Sequence, residues 1–575
     1  MSTPTPTPTP NPTPIPNPAI PEPVFFAARR EDVFPVLTPD QMARIEPHGR
    51  RRKVAAGEVL FSAGDPVSSV YVIVSGSLQF DRVATGEAVP IMILSPGHFT
   101  GELNLLASRR ALVTMRAIED GEVIEVPRDE LMRLVQTDPE LSELIMRAYL
   151  LRRTQLIAQG VSDVVLLASN FCSATLRIKE FLTRNGHPYT SVDLDRDAGA
   201  EELLARFGVD PKDVPVLICR GRTVLRNPSN AEIADCLGFN DAVDPARVRD
   251  VVVIGAGPSG LAAAVYAASE GLDVLVLETE APGGQAGTSS KIENYLGFPM
   301  GISGQELAAR ALTQAEKFGA EMLVARSAAK LGCERRPYRI DLDGTPGDGI
   351  AARSVVIASG AVYRKLDLEN RARFDGNGIY YGATAVEAPL CVGEEVAVVG
   401  GGNSAGQAAV FLTRSASHVH MFVRRDGLAE TMSRYLIRRI EDNPAITLHT
   451  RCEITALEGS NRLERLTWRN NATGETATRP IRHLFAMMGA VPSTAWLDGC
   501  LMVDDKAFLK TGPDLSKEDL AAAQWPLDRA PYLLETSRPG VFAVGDVRAG
   551  SIKRVASAVG EGSIAVSFIH RFLRE

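Results

Sequence analysis

Short apolar or alternating runs fill the chain from residue 25 to about 130. VYVIVSG, GSLQFDRV and PIMILSPG are each broken by Gly, Asp or Pro, which predicts strands joined by tight turns. DPELSELIMRAYLLRRTQLIAQ then reads as a helix. After it, VSDVVLLASN predicts a buried strand, and SATLRIKEFLTRNG a helix stopped by Gly186. YTSVDLD, a short helix, VPVLICRG and TVLRN complete a βαβαββ pattern over 160–240, enough for one small domain. DAVDPARVRD reads as a linker. From 251 onward strand and helix patterns alternate, as in a doubly wound α/β fold. The uncharged run VVVIGAGPSGLAAAVYAA (251–268) is nearly long enough to span a membrane, but its Gly and Pro predict a strand, a turn and a buried helix instead.

Composition narrows the classes. At 575 residues the chain is too long for one core. A net charge of −8 makes it a poor partner for nucleic acid, since phosphate contacts need clustered Lys and Arg. Seven cysteines show no CxxC pair and no Cys/His ligand spacing. That predicts neither a metal site nor a disulfide scaffold, and it fits a reducing cytoplasm. The opening MSTPTPTPTPNPTPIPNPAIPEPV has no signal-peptide layout. It predicts an extended, disordered tail over 1–24.

Two glycine loops carry the chemistry. In VVVIGAGPSG, Gly255, Gly257 and Gly260 form GxGxxG between strand and helix. The glycines serve a tight turn, close approach of a pyrophosphate and helix–strand packing, with Pro258 and Ser259 opening the helix. Glu278, at the end of LDVLVLE, stands where a carboxylate accepts a ribose hydroxyl. In VAVVGGGNSAGQAA, Gly400, Gly402 and Ala405 give GxGxxA, with Asn403 and Ser404 at the helix start. The next strand, HVHMFV, ends in Arg424 and Arg425, which suit a 2′-phosphate. The first loop thus predicts an adenine dinucleotide with a free ribose and the second predicts NADP.

Two such loops, the second inserted within the first domain, resemble the low-molecular-weight thioredoxin reductases. The likeness covers 249–575 and rests on GAGPSG, GGQAG (283–287), IENYLGFP (292–299), IASGA (357–361), GVFAVGDVR (540–548) and KRVASAVGEG (553–562). It implies FAD over 249–361 and 492–575, and NADPH over 362–491. It also implies a cytoplasmic homodimer and no membrane partner. The FAD contacts carried over are Gly284, Gln285, Asn294, Gly545, Asp546, Arg554, Val555 and Ala556, with Val555 where the family usually has Gln. The family's Cys-Ala-Thr-Cys is replaced by Gly382-Ala383-Thr384-Ala385, so the disulfide that the flavin would reduce is absent. Cys391, downstream, reads as a small buried apolar residue. No function is read for the added segment 510–535.

Residues 160–240 resemble a thioredoxin or glutaredoxin domain. Cys172 stands at the nucleophile's place before a helix, Thr175 replaces the resolving cysteine, and DVPV (213–216) matches the loop with a cis proline. A helix N-terminus favours thiolate, so Cys172 is the candidate catalytic thiol. Residues 25–155 resemble a cyclic nucleotide-binding β-roll through KVAAGEVLFSAGDPVSSVYVIVSGSLQF and FTGELNLL. The resemblance puts Gly101, Glu102 and Leu103 at the ligand's ribose and phosphate. Aligning on Val113-Thr114 places Ala111 where a phosphate-binding arginine belongs, and a one-residue bulge restores Arg110.

The expected whole is multidomain: a β-roll, an α/β thioredoxin-like domain, then two Rossmann-like FAD and NADPH domains. The expected activity is NADPH-dependent flavoprotein oxidoreduction, controlled by a cyclic nucleotide-type ligand. Electrons pass straight to a small-molecule or small redox-protein acceptor. Disulfide reduction through Cys172 and a sensor without turnover remain alternatives.

Overall fold

The computed structural model describes residues 30–84, 87–101, 110–158, 164–169, 172–194, 197, 204, 207–220, 223–384 and 386–575. The tail 1–24, Glu102, Leu103, Arg109 and Ala385 lie outside them.

The early runs form two antiparallel sheets. One orders β1 (Arg50–Val54), β7 (Gly121–Pro127) and β3 (Ser69–Ser75). The other orders β2 (Val59–Phe61), β6 (Thr114–Ala117), β4 (Leu78–Ala84) and β5 (Glu87–Leu94). Alternation drives their inner faces together around Tyr71, Ile73, Phe80 and Met115. Helices α1 (Arg128–Thr137) and α2 (Pro139–Ala158) close the roll.

The next four strands make one sheet, β11 (Thr223–Arg226), β10 (Val216–Cys219), β8 (Val164–Ala168) and β9 (Thr190–Asp193). Its helices are α3 (Ser173–Arg184) and α4 (Asn230–Leu237). The α4 start is a capping box, Ser229 exchanging hydrogen bonds with Glu232.

Two α/β lobes follow. The first has β14 (Glu321–Val324), β13 (Val274–Glu278), β12 (Val248–Ile254), β17 (Thr345–Ile357), β16 (Tyr338–Leu342) and β15 (Ala328–Gly332) in that order. β28 (Val541–Ala543) pairs with β17. α5 (Pro258–Ser269), α6 (Gly304–Lys317) and the C-terminal α8 (Val555–Leu573) belong to it. The apolar run 251–268 is therefore strand, turn and helix, as its glycines require. The second lobe orders β19 (Ile379–Tyr380), β26 (His483–Ala486), β20 (Glu395–Val399), β21 (His418–Val423) and β22 (Ile446–Thr450), with α7 (Asn403–Leu412) after β20. A two-stranded crossover, β18 (Ala361–Tyr363) with β27 (Ala490–Pro492), joins the lobes. Among the described residues no helix is long and apolar enough to cross a membrane.

Three features depart from the sequence reading or complete it. The linker ends earlier than expected, because β12 begins at Val248. Arg249 inside it is 2% exposed and donates to Asp273 (2.9 Å) and Glu321 (2.6 Å). A buried cation with two carboxylates thus continues a strand that charge made look like a loop, and removing one partner of such a group costs about 3–5 kcal/mol. Cys333 and Cys500, far apart in sequence, are joined in a disulfide with Cα atoms 6.0 Å apart. This corrects the expectation of unpaired cysteines, since a long-range pair leaves no spacing signal. The added segment 510–535 clasps the end of α8: Arg529 binds Glu535 (2.7 Å) and Glu575 (2.7 Å), over the ring of Tyr532.

The small sheet's α3 is held against both lobes. Arg184 meets Glu280 at 2.7 Å, and Gln305 donates to the Thr183 carbonyl at 2.7 Å, both in the first lobe. Ser173 packs on Gly376 and Leu176 on the second lobe's core. Between these contacts Glu180 lies against Glu387, which is 1% exposed. Burial, with the Glu387 carboxyl beside it, pushes the Glu180 carboxyl up to about 9; Arg184 opposes this weakly and Glu280 adds to it. The folded chain thus holds a proton that the unfolded chain releases near 4.5. This contribution to stability is full below the unfolded value and is lost as pH rises towards 9. Glu180→Gln has no proton to lose, so its melting temperature should fall less than the wild type's between pH 5 and pH 9. Equal slopes in a thermal melt series would remove the carboxyl pair from the account.

Candidate functional site

Each glycine loop is shaped by neighbours that exclude a side chain. Gly255, leaving β12 at φ +103, faces the Ala358 carbonyl, and a Cβ on Gly260 would strike the Gly255 carbonyl. A Cβ added to Gly257, the N-cap of α5, would meet only Gly284, at 4.0 Å, so its surface stays open beside the N–H groups of the helix start. Pro258 and Ser259 form the first turn. Glu278 ends β13 with both oxygens held: Oε2 accepts from Ala256 N (2.8 Å) and Oε1 from Glu280 N (2.9 Å). Burial raises its pKa, while those N–H groups favour its charge.

The second loop repeats the design. Gly400 (φ +144) abuts the Met487 carbonyl, Gly402 caps α7 where an added Cβ would meet open space, and Ala405 is buried. Asn403 Oδ1 accepts from Ser433 N at 2.8 Å. Arg424 and Arg425 stand exposed just past β21, Arg425 paired with Glu430.

Both loops open onto one cavity of about 2430 Å³. Gly255, Gly257, Glu278, Gly284, Gln285 and Asn294 line one side, and Asp546, Arg554 and Val555 extend it. Gly545 N donates to Glu561 (2.7 Å), which also binds Arg548 (2.6 Å), so the turn aims Asp546 inward; burial raises that carboxyl's pKa. Gln285 donates to the Ala361 carbonyl at the crossover. Ala556 is exposed and is not among the lining residues. Asn403 and Ser404 line the opposite side. Open glycine cradles at two helix starts, a fixed carboxylate and a long cavity fit two dinucleotides end to end.

The stretch where the family keeps its cysteines borders the same cavity through Gly382 and Thr384. Thr384 donates to Glu387 from its N–H (2.7 Å) and hydroxyl (2.5 Å). Cys391 is fully buried, and burial pushes its thiol up to about 12, which agrees with a packing role.

The third wall was not legible in sequence. Ser173, Arg177, Glu180 and Arg184 of α3, with Arg153 of α2, face the cavity. Cys172 is the half-buried N-cap of α3 and is absent from the lining, although the next residue is in it. Thr175 is buried, and the Val214–Pro215 peptide is cis.

In the roll, Gly101 has φ +97 against the Tyr149 hydroxyl, and its carbonyl accepts from Arg152 at 2.8 Å. Arg110 donates to the Gly64 carbonyl (3.0 Å) and lies on Gly238, the C-cap of α4. No cluster of three or more His, Cys, Asp or Glu suited to a metal occurs among the described residues.

Comparison with known proteins agrees with this geometry. The pyridine nucleotide-disulphide oxidoreductase family matches residues 249–562, and the cyclic nucleotide-binding domain matches 51–138. NADPH-dependent thioredoxin reductase 3 of Arabidopsis thaliana is 32% identical over 370 residues, covering 61% of this chain and 65% of that protein. Thioredoxin reductase of Bacillus subtilis is 31% identical over 329 residues, 57% of this chain and 96% of its own. The structure of Lactococcus lactis thioredoxin reductase in its FR conformation aligns with a TM-score of 0.50 at 26% identity, over 57% of this chain and 99% of that one. The chain belongs to the pyridine nucleotide-disulphide oxidoreductase family: it is an FAD- and NADPH-dependent oxidoreductase of thioredoxin reductase type, joined to a cyclic nucleotide-binding domain.

Proposed function

We propose that this chain passes electrons from NADPH by way of FAD directly to an acceptor other than a protein disulfide, under control of a cyclic nucleotide-type ligand in the roll. The reading rests on one observation. The segment bordering the cavity at Gly382 and Thr384 carries no thiol, and Cys391 behind it is sealed. The bound cofactors supply the hydride chemistry, and the chain supplies binding and orientation. Gly257 and Gly402 would leave room for the phosphates, Glu278 would hold a ribose hydroxyl, and Arg424 and Arg425 would hold a 2′-phosphate. The acceptor class is a one-electron carrier, a quinone or oxygen.

A second reading sends electrons to disulfides through Cys172. It draws on a thioredoxin-like reading of residues 164–237: a thiol at a helix N-cap, within electrostatic reach of Arg177, and a cis proline in the DVPV loop. Thr175 cannot resolve a mixed disulfide, so this route needs a thiol from elsewhere.

Control by the roll has a physical carrier. Arg152 and Arg153 are consecutive on α2. Arg152 grips the Gly101 carbonyl of the ligand turn and stacks 4.6 Å from Phe99, while Arg153 donates to the Gly186 carbonyl just past α3 and borders the cavity. A ligand that moves the turn at Gly101 therefore pulls on a helix that also touches the dinucleotide site.

Three outcomes follow. In a panel of acceptors with NADPH, Cys172→Ser should keep ferricyanide reduction within about twofold of wild type, and the wild type should reduce disulfides poorly. Brisk disulfide reduction that the serine variant loses would transfer the exit to Cys172. Neutral replacement of Arg424 and Arg425 should remove most of the preference for NADPH over NADH, about 1.5–3 kcal/mol for each charge-assisted contact, measured as the ratio of kcat/KM values. A cyclic nucleotide at a hundredfold excess over its Kd should stabilise the protein by about 2.7 kcal/mol and change the NADPH oxidation rate. Arg153→Ala should keep the stabilisation and lose the rate effect; no calorimetric heat with cAMP, cGMP or cyclic dinucleotides would retire the ligand.

A further inference from the structure

The Cys333–Cys500 bridge stands apart from the chemistry described above. Cys333 follows β15, at the start of the loop that joins it to β16. Cys500 follows the short 3-10 turn Ala495–Leu497, which begins three residues after β27, where the chain returns from the second lobe. The bridge therefore staples the outer hairpin of the first lobe to the turn that receives the crossover strand.

That turn carries a wall of the dinucleotide cavity. Trp496 and Ser493 both line it, and the Trp496 indole N–H donates to the Ser493 carbonyl at 3.1 Å. Trp496, Cys333 and Cys500 pack against the same apolar cluster, around Leu331, Leu497 and Leu501. Both bridge cysteines are only half-buried, so solvent reaches their neighbourhood. The other five cysteines are in no disulfide. Three of these are buried, and for two of them, Cys391 and Cys452, burial raises the thiol pKa. A half-buried bridge beside a cavity wall has the placement of a site that exchanges with its surroundings rather than of a sealed scaffold.

We propose that Cys333–Cys500 is a thiol-exchange site, opened by a dithiol, whose state sets the position of Trp496 on the cavity wall. A thiolate of the dithiol attacks one bridge sulfur. A mixed disulfide forms as the Cys333–Cys500 bond breaks, and the released cysteine takes a proton. The dithiol's second thiol then attacks the mixed disulfide, leaving as the oxidised reagent and freeing the other cysteine. Two electrons and two protons pass from the dithiol to the pair, and an oxidised dithiol accepts them back when the bridge re-forms. Opening cuts the tie between hairpin and turn, so Trp496 keeps only its local hydrogen bond and its packing.

The site is tested on the intact wild-type protein and does not depend on which acceptor the flavin serves. Air-oxidised protein, unfolded and alkylated with iodoacetamide, should show five modified cysteines by mass spectrometry. Protein first treated with dithiothreitol under native conditions should show seven. The folded open and closed forms should differ in tryptophan emission, and Trp496→Phe should abolish the difference. Cys500→Ser, where it folds, should match the open wild type. Seven modified cysteines in the air-oxidised protein would remove the bridge. Five after native dithiol treatment would make it a sealed staple. Identical emission from the two forms would detach it from the cavity wall.

Discussion

The shape of the cavity depends on α3 being held between two lobes that are otherwise joined by a crossover of two short strands. Its N-terminal turn rests on Gly376 in the second lobe, and its last turn is tied to Glu280 and Gln305 in the first. Exposed ion pairs of this kind are individually worth about 0–1 kcal/mol, so Arg184 with Glu280 is a locator more than an anchor. The buried groups decide the seat. Glu180 and Glu387 meet where neither is well solvated, and two carboxylates there cannot both ionise cheaply. One proton is therefore part of the joint between the small sheet and the second lobe, and losing it weakens the seat of the cavity's third wall.

The small sheet is seated from a second side as well. β14 is the edge strand of the first lobe's sheet, with backbone groups open to pairing. Asn240 uses its side-chain amide as a surrogate strand: Nδ2 donates to the Val324 carbonyl (2.9 Å) and Oδ1 accepts from Val324 N (2.7 Å). Arg326, just beyond β14, meets Asp235 at 2.6 Å. These contacts cover an edge that would otherwise invite association. They also give the module between roll and lobes a defined orientation, which α2 requires if Arg152 and Arg153 are to reach Gly101 and Gly186 from one turn of helix.

What the sequence made legible was local. A glycine that must turn a strand into a helix is written within six residues, so Gly255, Gly257 and Gly260 and their counterparts Gly400 and Gly402 could be placed from spacing. The carboxylate and the arginines at the following strand ends could be placed the same way. What it hid was long-range. Glu180 reads as one more polar residue on an amphipathic helix, and only docking against Glu387 makes it unusual. Arg249 was assigned to a linker because its partners, Asp273 just before β13 and Glu321 at the start of β14, are distant in sequence. A one-residue bulge would put Arg110 at the ligand's phosphate in an isolated roll, but here the arginine spans Gly64 and Gly238, the C-cap of α4.

The loss of the cysteine pair can be followed into the same joint. A redox pair needs two sulfurs that approach each other in one state and expose themselves in another, so the segment carrying it must tolerate both. Here Thr384 gives both its N–H and its hydroxyl to Glu387, and Val386 N donates back to the Thr384 hydroxyl at 3.0 Å. The turn is thus closed by a carboxylate rather than by a disulfide. That carboxylate is the one that receives Glu180 from α3. Restoring cysteines at 382 and 385 alone would leave this turn tied to Glu387. The substitution of the pair and the docking of the module are in this sense one change: a segment that resembles a redox centre in sequence serves here as the seat of the third wall.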